Sequence, residues 1–200
     1  MGPDPLVAAA IAEIDRRNAG DPETVVVDGV ARPKEVVHAE RMTHWLGVLD
    51  PDASAAQQIA ARAHHLRRWV SPRSTYPEGR AGYLRWRADA KRRQAAEVAE
   101  LLEGLGADAA IVDHVRRIVA KEGLATDSAV QTHEDALCLV FLESQQYDAL
   151  TDQLGEDHMV EVLRRTAKKM SARGLEVAAT LPFTEQGAAV LARALAGDPA

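Results

Sequence analysis

Apolar residues return at intervals of three and four along almost the whole chain, and runs of alternating β-branched residues are nearly absent. This spacing turns one face of a helix toward a core, whereas a half-buried strand needs a period of two. With Ala, Leu, Glu and Arg abundant, the sequence predicts an all-α fold of about eight helices, near 4–19, 33–49, 54–70, 80–105, 108–122, 132–150, 156–173 and 184–196. The breaks have chemical causes. Pro33 suits a helix start, Asp50-Pro51-Asp52 ends one helix and Ser54 caps the next, and Pro72, Pro77 and Gly79 open a loop before a long basic helix. Gly106 and Gly123 read as terminators, and Gly155 and Gly174 as further ends. The exception is TVVVDGV over 24–30, a short strand or extended arm between Asp21-Pro22 and Pro33.

Two hundred residues, 46% of them hydrophobic, suffice for one domain with a substantial core. A formal charge of −6 argues against a duplex DNA binder, whose basic footprint would dominate the domain. The single cysteine, Cys138, excludes an internal disulfide and a multi-cysteine zinc site, and within ALCLVFL it reads as a small core residue. No 18-residue apolar span occurs, and MGPDPLVAAAIAEIDRRN lacks the basic start and cleavage pattern of a signal peptide. The expectation is a cytoplasmic protein with no membrane partner.

Against this acidic background, the stretch from His65 to Arg93 is basic and aromatic. Between Arg67 and Arg93 nine Lys/Arg face two acids, Glu78 and Asp89, and Trp69, Trp86, Tyr76 and Tyr83 fall in the same window. Arginine forks grip phosphate or carboxylate in a bidentate manner, and rings cover the apolar or base part of a ligand. The window is therefore a candidate anion pocket, with Arg68, Arg73, Arg80 and Arg87 as binders and Tyr76, Tyr83 and Trp86 as ring contacts. The alternative is a solvated basic helix.

On the helix after Pro33, His38 shares a face with Arg41, Met42, Trp45 and Leu49 and points inward, while His44 falls on the surface side. In ARAHHLRRW, His64 and His65 flank the apolar stripe of Ile59, Ala63, Leu66 and Val70 on opposite sides, so periodicity selects neither. The helix from Thr132 is apolar all round over Ala136 to Leu142. Glu134 and Asp135 enter its first turn, where an ionised group needs a partner. Either Thr132 is the N-cap of a capping box with Asp135 at its third position, or Asp135 binds a metal. His38, His64 or His65, and Asp135 would form a nitrogen and oxygen ligand set suited to one divalent Mn, Fe, Zn or Co ion. His114, His133 and His158 add little to it, His133 falling near the capped turn.

The peptides His38-Ala-Glu-Arg-Met, Ala-Arg-Ala-His64-His65-Leu-Arg-Arg-Trp69, Pro72-Arg-Ser-Thr-Tyr76-Pro, Gly82-Tyr-Leu-Arg-Trp86-Arg and Gln131-Thr-His-Glu134-Asp135-Ala-Leu-Cys-Leu-Val-Phe-Leu-Glu143 occur in that order. From Leu6 to Leu181 the chain resembles the uncharacterised family DUF4202. It also resembles, more distantly, the HD superfamily of all-helical metal-dependent phosphohydrolases, whose ligands run His, His-Asp, Asp. That resemblance implies a single HD-like helical domain over 1–181, with a C-terminal helix and frayed tail over 182–200 packed on it. His38 matches the first ligand and Asp135 the last. The middle pair is altered: His65 replaces the motif aspartate if His64 is the histidine, and Leu66 replaces it if His65 is. The Gln-His usual in DUF4202 at these positions favours His65. One metal is implied rather than two.

The function expected is metal-assisted hydrolysis of a phosphorylated or nucleotide-like small molecule, with the arginines holding its anion and Glu134 assisting proton transfer. The alternatives are a non-catalytic HD-like module binding a nucleotide or single-stranded RNA, an HD-like oxygenase, or an interaction protein docking an acidic partner on its basic helix.

Overall fold

The computed structural model describes residues 4–143 and 151–196. Helices dominate it, with one two-stranded sheet, in agreement with the all-α reading. The chain forms two compact units, residues 1–133 and 134–200.

The first unit begins with α1 (Pro5–Asn18), where the Asp4 side chain accepts the Leu6 amide hydrogen and Pro5 occupies a position with no helical N–H to lose. Strands β1 (Thr24–Val27) and β2 (Val30–Pro33) follow as an antiparallel pair with Val27 opposite Val30. Asp28 and Gly29 both have positive φ, 50° and 79°, as a two-residue turn matched to strand twist requires. The segment over 24–30 is thus the larger part of a hairpin. Asp21 ties this hairpin to α2 (Lys34–Leu49), its carboxylate accepting the amide hydrogens of Glu23 and Glu35 at 2.9 and 3.0 Å. Pro33, which has no side-chain oxygen, could not cap that helix itself.

Helix α3 (Ala55–Ala63) starts at a complete capping box between Ser54 and Gln57. Single-turn 3-10 helices at Arg68–Val70 and Arg73–Thr75 lead to the long α4 (Gly79–Gly104) and then α5 (Ala109–Ala120). Helix α3 packs on α1, α2 and α5, and α4 packs on α5. Ile14, Ile59, Leu66, Val98, Leu102, Val115 and Ile118 meet in the core with no exposed surface. Each such burial contributes about 2 kcal/mol by the transfer of apolar area from water.

Helix α6 (Ser128–Glu143) begins four residues earlier than the sequence reading placed it. Asp127 is its cap, accepting the amide hydrogens of Ala129 and Val130, and Thr132 lies inside, donating its hydroxyl hydrogen to the Ser128 carbonyl. The capping box from Thr132 to Asp135 is therefore corrected. The end of the expected helix over 132–150 and the tail from 197 lie outside the described residues.

In the second unit the span over 156–173 is two helices, α7 (Glu156–Ala167) and α8 (Ala172–Ala178), followed by α9 (Glu185–Leu195). Ser171 caps α8 through the Gly174 amide hydrogen. Gly174 is inside α8, not at a helix end, and a Cβ there would come within 2.7 Å of the Asp135 carboxyl carbon. Gly106 and Gly155 are at helix boundaries as read, both with positive φ, whereas α5 is closed by left-handed Lys121 and Gly123 follows in the turn. Among the described residues, no helix is long and apolar enough to cross a membrane.

Candidate metal centre

Helix α3 ends seven residues before the sequence reading ended it, and this creates the site. His64 is the C-cap residue, His65 turns into left-handed backbone with φ 64°, and Arg67 does so again with φ 47°. Left-handed backbone at a non-glycine residue costs about 1 kcal/mol or more, so the surroundings must hold it. They do so from three directions. Leu66 between the two turns is fully buried in the core, Asn18 accepts the Arg67 amide hydrogen at 3.0 Å, and Arg93 donates to the carbonyls of Leu66 and Arg67 at 3.1 and 2.9 Å. Arg93 is in turn paired with Glu97 at 2.7 Å, which also receives Arg67. In a continuous helix adjacent side chains diverge by about 100°. Here both histidines of the pair reach the same place.

That place is beside His38 on α2. The rings of His38 and His65 stack with centroids 4.2 Å apart, His64 and His65 are 4.4 Å apart, and each of the three offers a ring nitrogen within 4.8 Å of the others'. This cluster can hold a metal ion. His64 is buried, His38 and His65 half-buried. Burial, together with the positive charges of Arg68 and Lys121, pulls His38 down to about 3, and burial first, then the neighbouring histidines, holds His64 and His65 well below the ordinary range. All three are neutral at pH 7, the state that ligates. Among the described residues, the Nε2 atoms of His38 and His64 are buried without a hydrogen-bond partner. Such a nitrogen costs about 1–3 kcal/mol unless something meets it.

Two residues that the sequence reading did not assign to the site belong to it. His133 on α6 places Nε2 2.9 Å from Nδ1 of His64. Glu35 on α2 has Oε2 3.4 Å from Nδ1 of His65, and burial pushes its carboxyl up to about 7. Glu35 stands three residues before His38, so the arithmetic that turns His38 inward carries Glu35 with it. For His133 a signal was weaker: it shares the buried face of α6 with Val130 and Ala136, an apolar stripe that favours a core histidine. Lys121, the left-handed residue closing α5, adds positive charge facing His38, His64, His65 and His133.

The arginines and rings divide into two groups. Arg68 has its guanidinium 4.5 Å from the Trp86 ring centre and adds to the positive field on Glu35, His38 and His65. Trp86 is anchored by its Nε1–H to the Ser71 carbonyl, Tyr83 lies 5.9 Å from it, and Arg87 stands over Tyr83 at 5.7 Å. Of these four, Arg68 and Arg87 are close enough for their charges to act on His65. Arg73 and Tyr76 serve their own loop, Arg73 donating to the carbonyls of Tyr76 and Gly79 and Tyr76 donating to Asp89. Arg80 is exposed in the first turn of α4.

In the second unit, the Asp135 carboxylate accepts both the amide and hydroxyl hydrogens of Ser171, at 2.9 and 2.5 Å, and buried Glu134 lies 3.8 Å from the Lys169 ammonium. Cys138 is buried and in no disulfide. Residues 8–191 match the family described as Domain of unknown function (DUF4202). No curated protein and no solved structure matches the chain.

Proposed function

The chain belongs to the DUF4202 family, and we propose that it is a metal-assisted hydrolase of a phosphorylated or nucleotide-like small molecule. The observation that carries the reading is the set of three neutral imidazoles, two with buried and unpartnered nitrogens, among cations. His38, His64 and His65 would hold one divalent ion, with Zn, Fe, Co and Mn the candidates for a histidine site. When bound, such an ion lowers the pKa of a coordinated water to near neutrality. With three uncharged ligands, and with burial holding the Glu35 carboxyl up to about 7 so that only part of it is ionised at neutral pH, the site keeps a positive charge. An anionic substrate neutralises it.

Arg68 and Arg87 are the proposed anion binders, and the faces of Trp86 and Tyr83 the proposed cover for the rest of the substrate. Arg73 and Tyr76, which serve their own loop, and the exposed Arg80 receive no step. Glu134 and Asp135, whose partners are Lys169 and Ser171, receive no step. Within this proposal the fold is HD-like, with His65 where that superfamily has its motif aspartate. A second reading, a nucleotide-binding module without catalysis, rests on the exposed Tyr83 ring beside Arg87.

Metal analysis of protein purified without chelator, joined to a thermal-shift screen of nucleotides and phosphates, tests both. Near-stoichiometric transition metal that disappears in His65→Ala is expected. Metal-free wild-type protein that binds a nucleotide equally well after His38→Ala would overturn the hydrolase in favour of the module.

A further inference from the structure

His64 and His133 share one hydrogen bond between Nδ1 and Nε2, 2.9 Å long, with the rings at 63° and their centroids 4.9 Å apart. Both rings are buried, and imidazole ligates a metal in its neutral form. Two neutral imidazoles hold two ring protons, and exactly one lies between them. There are therefore two arrangements. In the first, His64 carries its proton on Nδ1 and donates to His133, which leaves the Nε2 lone pair of His64 open. In the second, His133 donates from Nε2, and Nε2 of His64 must carry the other proton.

The outer atoms of the pair, Nε2 of His64 and Nδ1 of His133, are both buried without a hydrogen-bond partner among the described residues. Either arrangement thus leaves one unmatched N–H and one unmatched lone pair. By hydrogen-bond count among the described residues, the protein alone does not prefer one. A cation at Nε2 of His64 breaks this balance, because only the first arrangement presents electrons there.

We infer that His133 is a positioning residue for the metal centre, the acceptor that holds the His64 proton on Nδ1 and so turns the Nε2 lone pair toward His38 and His65. The inference rests on the metal-centre reading above and adds the residue that readies one of its three ligands. His133 touches neither metal nor substrate. Its backbone position on α6 makes that helix a support of the site, since the other three histidines come from α2 and from the end of α3.

Zn2+ alone is the probe, titrated calorimetrically into the full chain. His133→Leu, which offers no acceptor, is expected to lower Zn2+ affinity about 10- to 100-fold, the usual effect of removing a ligand's hydrogen-bond partner. His133→Gln, whose amide oxygen can accept in place of Nε2, is expected to retain affinity within a few-fold. Long-range proton–nitrogen spectra of the imidazoles, assigned with His64→Gln, give a readout that packing does not mimic: His64 protonated on Nδ1 in the Zn2+-loaded wild type and in His133→Gln. Equal affinity in wild type and a folded His133→Leu, or a proton on Nε2 of His64 in the loaded protein, overturns the inference and leaves the metal centre standing. Wild type that takes up no Zn2+ overturns both. Should His133→Leu fail to fold, the spectra and the glutamine variant decide.

Discussion

His65 and Arg67 hold positive φ without being glycine, and the residues that enforce this have nothing to do with ligation. Asn18 and Arg93 supply hydrogen bonds to the turn, and Arg93 is itself oriented by Glu97. Arg93→Ala is expected to destabilise the first unit by about 1.5–3 kcal/mol, the range for a hydrogen bond to a charged group, and to weaken Zn2+ binding though Arg93 ligates nothing. Urea unfolding and the same calorimetry check it. The buried histidines also set a pH dependence. His38 and His133 have folded values near 3 against an ordinary 6.5, so as pH falls below 6.5 the unfolded chain takes up protons that the folded chain refuses. Glu35 works the other way, since its folded value near 7 removes stability as pH rises from about 4.5 to 7. One carboxyl opposes several imidazoles. Stability is expected to drop between pH 6.5 and 5, by on the order of 2 kcal/mol for fully buried His133 alone, and melts across that window that stay flat would contradict the buried neutral cluster.

At the level of elements, the decisive event is the early end of α3 and the form of the segment that follows it. The Pro72 to Pro77 loop is locked against the first turn of α4 by a missing side chain: a Cβ on Gly82 would come within 1.9 Å of the Pro77 carbonyl oxygen. Gly82→Ala must push that backbone away. It is expected to destabilise the protein by several kcal/mol, as overpacking of a backbone contact does, and to shift the indole of Trp86, read as a change in tryptophan fluorescence. Gly29→Ala is the contrast, because nothing lies within 4 Å of its new Cβ and only the φ of 79° resists; a loss of about 1 kcal/mol is expected. In the second unit Gly174 carries α8 onto the Asp135 carboxylate. Gly174→Ala is expected to break the pair of hydrogen bonds from Ser171, with a loss of about 2–4 kcal/mol seen in thermal unfolding.

For the whole molecule, a net charge of −6 contrasts with the cations and neutral imidazoles of the site, and ligand binding should appear as stability. Zn2+ at a hundred times its dissociation constant adds about 2.7 kcal/mol to the folded state, a rise in Tm of about 5–10 °C for a chain of this size. A chelator should reverse it. The helical class and most of the boundaries were legible in the sequence because helix packing repeats every three to four residues and because Ser54 and Gly106 act on their own neighbours. The inward turn of His38 was legible for the same reason. The convergence of His64 with His65 was not, since no local rule marks a non-glycine residue for left-handed backbone when its support comes from Asn18 and Arg93, far away in the chain. The order of helices and the residue types of the site were thus determined by the sequence itself through short-range periodicity and capping. Which imidazoles meet, and that Glu35 and His133 join them, was decided by the tertiary structure, because burial and hydrogen bonds between distant segments outweigh the local preference for one more turn of helix.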